Sequence, residues 1–211
     1  MKTPKHVIFL GMAVLLWAAP LFAQSGIPDL SNCEAWLAYE GPEVLTLMVR
    51  PDGQGSAFTE AQLPDGTHVD GTLFVKVIDW GEEPVVNFPA EDLWIESEDG
   101  GLVACLGGTI ADVNTDETGL SYWIEPLQAG GSSLGSAAVF VSGDSWGTGD
   151  LPLNFNSPDL TGDGVVNLAD LAYFSEIYYE DYDFRADLYR DGVINLSDVA
   201  LMAQGWGVAC P

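Results

Sequence analysis

The sequence predicts a mainly β protein with a small α module at its C-terminal end. Three observations predict it. Across residues 25–156, short runs rich in Val, Ile, Phe, Trp and Thr alternate with Gly, Pro and Asp turn signals, without a helical period. Beyond Pro158, apolar residues recur at helical spacing in two stretches. Ahead of each stretch stands one twelve-residue pattern written twice, from Asp159 to Asp170 and from Asp187 to Asp198.

The first 23 residues read as a targeting segment. Lys2, Lys5 and His6 precede an apolar run over residues 7–19, and Pro20, Leu21, Phe22 and Ala23 form a cleavage region before Gln24. The run is shorter than the ~20 residues a spanning helix needs. The expectation is a secreted or cell-surface protein exported through a cleavable signal peptide, with no membrane insertion after cleavage.

Cleavage after Ala23 leaves 188 of the 211 residues, room for one ordinary domain and a small module. Four basic residues (Arg50, Lys76, Arg185, Arg190) then stand against 32 acids, a net charge of about −28. Such a surface repels nucleic acid and anionic lipid, which excludes both as partners. The 47% hydrophobic content separates the chain from disordered acidic proteins. Export favours one disulfide among Cys33, Cys105 and Cys210, with one thiol left over. Cys33–Cys105 is the preferred pairing and Cys105–Cys210 the alternative. No CxxC spacing offers a zinc or redox site.

Strands are expected at residues 43–50, 72–79, 92–96, 102–105, 121–125, 137–141 and 151–155. The turns Pro51-Asp52-Gly53, Pro64-Asp65-Gly66 and Asp116-Glu117-Thr118-Gly119 punctuate them. Strands so spaced suggest a two-sheet sandwich over residues 25–156. Residues 75–85, from Val75 through Asp79, Trp80, Gly81 and Pro84 to Val85, are followed by Thr115-Asp116-Glu117-Thr118-Gly119 and Tyr122-Trp123. These runs resemble the bacterial immunoglobulin-like domains of invasins and related surface proteins. The resemblance covers about half of the segment and implies an immunoglobulin-like β-sandwich acting as spacer, adhesin or accessory fold, without catalysis of its own.

Three further patterns in this segment each have a functional and a plain structural reading. Gly143-Asp144-Ser145-Trp146-Gly147 has the Gly-x-Ser-x-Gly form of a hydrolase elbow, but no helix start follows it and no His follows Ser145, so a β-turn is the reading. Asp112, Asn114 and Asp116 place oxygens at alternate positions, as a cation clip or a polar hairpin turn would. Trp36, Trp80, Trp94, Trp123 and Trp146 offer either core or a sugar-stacking face, and alternation alone does not tell which rings point outward.

After Pro158 the chain changes character. Helices are expected over residues 167–178 and 195–204, with Leu171, Phe174 and Tyr178 on one face of the first and Val199 and Met202 inward on the second. Extended to Glu176 and Gln204, the two copies agree at nine of eighteen positions, too many for chance. Each copy carries oxygen-bearing side chains at loop positions 1, 5, 9 and 12 and Gly at position 6. A hard cation needs carboxylates that converge from a sharply folded loop. Asp159 and Asp187 open the loops, and Asp163 and Asp191 follow. Val165 and Val193 offer backbone carbonyls, Asn167 and Asn195 ligate directly or through water, and Asp170 and Asp198 close the shell. Val166 and Ile194 point into the core between the loops. Oxygen donors in this number fit calcium rather than zinc or copper.

Two such loops, each leading into one helix and closed by Asp, closely resemble the dockerin type I module. The resemblance covers residues 158–207 and sets the module at residues 158–211. It implies calcium-dependent docking onto a cohesin-like partner or surface assembly, in a family that attaches polysaccharide-degrading enzymes to scaffolds. Loop position 3, usually Asn or Asp there, holds Thr161 and Tyr189. Thr161 still offers an oxygen. Tyr189 is too long to ligate in a tight loop, so the second site is expected to bind more weakly. The family's partner-reading positions fall on Leu168-Ala169 and Leu196-Ser197, whose side chains either meet a partner or pack on this chain's own sandwich.

The resulting expectation is a secreted, non-catalytic calcium-binding protein with a docking module. The alternative is an accessory of polysaccharide degradation, either a carbohydrate-binding sandwich or a small glycoside hydrolase. Exposed Trp rings lined up on one sheet face would favour carbohydrate binding.

Overall fold

The computed structural model describes residues 26–145, 148 and 150–211. The expected targeting segment lies outside the described residues, as do Trp146 and Gly147. The chain is mainly β, with two α-helices at its C-terminal end.

Eleven strands are described: β1 (Glu34–Leu37), β2 (Leu45–Met48), β3 (Ala61–Gln62), β4 (His68–Val69), β5 (Leu73–Lys76), β6 (Leu93–Ser97), β7 (Leu102–Ala104), β8 (Leu120–Trp123), β9 (Ala129–Gly131), β10 (Ala137–Val141) and β11 (Leu153–Asn156). Antiparallel pairing joins β1 to β5 and β5 to β8, with Trp36, Phe74 and Tyr122 in register. Residues 109–112 carry this layer onward. Asp112 N donates to Tyr122 O, Ala111 N donates to Leu93 O, and Trp94 bridges Ile110. Next comes β6, paired antiparallel with β10 in the register Trp94↔Phe140. A second group runs β11, β2, β3 and β4, in which β11 lies parallel to β2. The pair β7 and β9 stands beside them.

Alternation decides what each strand buries. Leu73 and Val75 of β5, Leu93 and Ile95 of β6, and Val139 and Val141 of β10 turn inward and are fully buried. Phe58, Leu45, Leu47, Leu153, Phe155 and Trp123 complete this core. The Trp123 indole N–H donates to Thr109 O at 3.0 Å, so burying the ring strands no donor.

All seven expected strand regions contain strands, mostly shorter than expected. Four others, β1, β3, β4 and β9, carry too little apolar alternation to be seen in sequence. β9 is Ala-Gly-Gly and offers no side-chain pattern at all.

The helices are α1 (Leu168–Ile177) and α2 (Leu196–Gln204). Each starts from an Asn that belongs to the preceding loop. The Asn167 side chain accepts from Ala169 N at 2.8 Å, and the Asp170 carboxylate accepts from Asn167 N at 2.8 Å. Asn195 and Asp198 repeat the arrangement. These are reciprocal N-terminal caps, which satisfy donors a helix otherwise leaves open. Leu160, Val166, Phe174, Ile177, Ala186, Leu188 and Met202 form a second, smaller core. Val166 is buried there as expected, with Ile194 packed against it. Leu171 instead lies half open, because Phe174 and Ile177 supply the inward face of α1.

The cysteine pairing differs from the preferred expectation. Cys105 bonds Cys210, and Cys33 is free and buried, its thiol 3.9 Å from Ile78 O. The reason is tertiary. The chain after α2 turns back so that Val208 O accepts from Val166 N, while Gly164 O accepts from Cys210 N. That return brings Cys210 to the turn after β7, whereas Cys33 is held among the core residues of the β region.

The C-terminal module packs on the β region rather than standing free. Gly131 N of β9 donates to Asp159 O at 2.7 Å. The Asn156 side-chain amide donates to Asp187 O at 2.9 Å. Arg50 reaches Gln204 O at the end of α2, at 3.4 Å. The first residue of each twelve-residue loop is therefore fixed through its carbonyl by a strand end. Among the described residues no helix is long and apolar enough to cross a membrane.

Candidate metal centre

In the first loop the carboxylates converge. Ligand oxygens of Asp159, Asp163 and Asp170 all lie within 4.8 Å of one another and could hold a metal ion. Asp159 and Asp170 are fully buried, while Asp163 is exposed. The loop folds around Asp159. Its Oδ1 accepts from Gly162 N at 2.9 Å and Asp163 N at 3.2 Å, and its Oδ2 accepts from Gly164 N at 2.8 Å. Gly162 and Gly164 adopt φ of +69° and +82°, which glycine reaches without a Cβ penalty. Asp170 Oδ1 accepts from both the Thr161 amide and its hydroxyl at 2.9 Å. Val165 O and Asp163 Oδ2 face the Asn167 amide at 3.0 and 3.4 Å. Of the six expected residues, Asp159, Asp163 and Asp170 converge, while Thr161 bonds to Asp170 and Val165 O accepts from the Asn167 amide.

The electrostatics fit a cation. Burial, with Asp170 and Asp163 alongside, pushes the Asp159 carboxyl above its ordinary range. Three acids held this close repel one another, and a bound positive charge relieves that repulsion. Oxygen-only donors match a hard cation.

The β region takes part in this centre. A methyl group at Gly130 would lie 1.9 Å from Asp159 Oδ2, so only glycine leaves that carboxylate its place. Cys210 Sγ lies 3.1 Å from where a Cβ on Gly164 would sit, so the disulfide presses on loop position 6. Neither contact was expected from the sequence. A Gly-Gly pair at 130–131, distant in sequence from the loop, was the one available signal.

The second loop repeats the backbone, but its first carboxylate has other partners. Asp187 and Asp198 are buried, and Asp187 accepts from Asp191 N at 3.2 Å and Gly192 N at 3.0 Å. Burial also pushes Asp198 up, with Asp187 and Asp191 adding repulsion. Val193 O faces the Asn195 amide at 3.1 Å. Yet Asp187 Oδ2 already accepts from the Tyr182 hydroxyl at 2.8 Å, and Arg190 Nη1 lies 4.0 Å from it. Burial and that bond to Asp187 push the Tyr182 hydroxyl up to about 12, so it stays a donor at neutral pH. Tyr189 turns its side chain outward, 54% exposed, and contributes only its amide to Asp198 Oδ1 at 2.8 Å. The expected weakening of this site therefore has a second source. Arg190 occupies loop position 4, where the first loop has Gly162, and it adopts φ of +61°.

The other candidates take structural roles. Asp112 Oδ2 accepts from Ile124 N and Glu125 N, Asn114 Oδ1 accepts from Ala90 N, and Asp116 Oδ1 accepts from Thr118 N and Leu120 N. Their oxygens are directed at backbone amides rather than at one point. Ser145 follows a turn in which Val141 bridges Asp144.

Leu168 and Leu196, the first residues of α1 and α2, are 69% and 75% exposed. They do not pack on the β region. Beside them an apolar groove of about 440 Å³ runs between the helices, lined by Leu171, Phe174, Val199, Met202, Ala203 and Trp206.

No family model, no curated protein and no solved structure matches the chain.

Proposed function

We propose that this is an exported, non-catalytic calcium-binding protein whose C-terminal dockerin-like module docks onto a cohesin-like partner or surface assembly. The β region is read as an immunoglobulin-like two-sheet sandwich that carries the module. One observation supports the calcium reading above the others: the oxygens of Asp159, Asp163 and Asp170 stand within 4.8 Å of one another. The ion would be held by these carboxylates, with Val165 O, Thr161 and Asn167 completing the shell. Its role is to neutralise the buried acids and fix α1 and α2 relative to each other. The docking reading draws support from the exposed leucines and the groove between the helices, an apolar face beside the loops that would hold the ion.

The experiment is thermal unfolding of the mature chain with calcium and with chelator. A ligand that binds only the native state raises its stability by mass action, about 2.7 kcal/mol at a hundredfold excess over Kd. A higher melting temperature in calcium is expected, and no shift would refute calcium binding. Capture of the same secreted proteins in calcium and in chelator would refute calcium-dependent docking.

A further inference from the structure

We propose that the outer face of β6 and β10 binds a neutral polysaccharide, with Trp94 and Phe140 as its sugar-stacking platform. Trp94 and Glu96 alternate with the buried Leu93, Ile95 and Ser97, so they share the solvent face of β6, and the exposed Glu98 follows its last residue. Trp94 stacks on its cross-strand partner Phe140, with centroids 5.5 Å apart and planes 15° from parallel. The Trp94 indole N–H donates to Glu96 Oε1 at 2.7 Å, which fixes the ring before any ligand arrives. Preorganised aromatic rings lose little entropy on binding.

The stacked pair stands between two open clefts. Trp94 lines one of about 690 Å³ with Glu91, Val103, Leu106 and Ile110, in which Leu106 is wholly exposed. Phe140 lines the other, of about 480 Å³, with Glu96, Glu98, Ser145 and Asp150. Across residues 109–112 the same face continues to Trp36, Phe74 and Tyr122, and Trp36 stacks on Phe74 at 5.6 Å. Two aromatic rows on one solvent face suit an extended ligand better than a compact one.

The chemistry of the rim selects the occupant. Glu91, Glu96 and Glu98 present acceptors, so the ligand must bring donors. A pyranose ring offers hydroxyl donors at its edge and an apolar C–H face for the aromatic platform. The formal charge of −26 repels acidic polysaccharides. A neutral polysaccharide satisfies all three conditions.

The test is affinity electrophoresis of the full mature chain in calcium, through gels containing soluble glucan, mannan, xylan or galactan. Retardation by at least one gel is expected. It should persist at about 1 M salt, where charge attraction is screened within about 3 Å. Trp94→Ala and Phe140→Ala should each raise Kd about tenfold or more, the scale of a lost aromatic anchor. Trp94→Phe keeps a stacking ring and should retain most of the retardation, which separates ligand contact from misfolding. Trp80→Ala, at an exposed ring outside both clefts, should change nothing. No retardation of the parent chain in any gel would overturn the proposal. So would retardation that survives both alanine variants, or retardation confined to an aminated polymer and abolished by salt, which would assign the face to cations.

Discussion

The two cation loops share nine of their eighteen aligned positions, yet they are not equivalent centres. Both bury their first and last carboxylates, both cap their helix with Asn, and both fix position 1 through its carbonyl to a strand end. They part at position 4. Gly162 leaves the first loop open, whereas Arg190 brings a guanidinium to 4.0 Å from the carboxylate that opens the second. Tyr182 then donates a hydrogen bond to that same carboxylate. Arg190 has a further anchor, lying 4.4 Å over the Phe184 ring. The second loop thus holds part of its own charge compensation, and a cation arriving there must compete with it. A ligand pattern fixes where donors stand, while neighbours outside the pattern decide whether they are free.

The largest effect should come from the first loop itself. Asp163→Ala removes an exposed carboxylate of the cluster with little packing loss. It should weaken the tighter site more than about a hundredfold, beyond the range typical of outer-shell partners. Calorimetric titration of the variant would then leave one weak event. Nearly as large is the disulfide. Replacing Cys105 and Cys210 by Ser should cost about 2–5 kcal/mol of stability. It should also weaken the first site more than the second, because the bond lies against Gly164 alone. Chemical unfolding with and without calcium reads both effects.

Gly130→Ala sharpens the comparison from outside the module. Its methyl group would displace the Asp159 carboxylate, so the first site should lose about tenfold or more in affinity while the second keeps its own. Arg190→Gly works in the opposite direction. Freeing Asp187 and relieving a positive φ should raise the second site's affinity about tenfold, with a stability gain of under about 1 kcal/mol. If the second site did not change, Arg190 would not be its competitor.

The smallest effect is on pH. The folded-state carboxyl of Asp159 is raised, so the native chain holds its proton more tightly than the unfolded chain. Its relative stabilisation is present below the unfolded value and is lost as pH rises through the folded one. In chelator, the melting temperature of the module should therefore gain from this group on mild acidification. In calcium the trend reverses, because the proton and the ion compete for one carboxylate. A scan of melting temperature against pH in both conditions checks the sign.

Much of this was legible in the sequence, for a physical reason. The convergence of Asp159, Asp163 and Asp170 and the turning Gly164 and Gly192 are local, so their spacing carries the information, whereas the capping role of Asn167 and Asn195 was not expected. β5 announces itself through alternation, and β6 and β10 through short runs of β-forming residues between turn signals. What escaped depends on contacts far apart in the chain. Tyr182 precedes the second loop by five residues and lies outside the repeat. Gly130 meets Asp159 only after β9 docks on the first loop, and Cys105 finds Cys210 only after the chain returns past α2. The direction in which Trp94 points needed the register of β6 with β10.

The central claim is that two similar loops form unequal calcium sites, and calcium titration calorimetry of the full mature chain tests it most directly. Two resolved binding events are expected, of which Asp163→Ala deletes the tighter and Arg190→Gly strengthens the weaker. Two sites of equal affinity, or no binding at all, would contradict it.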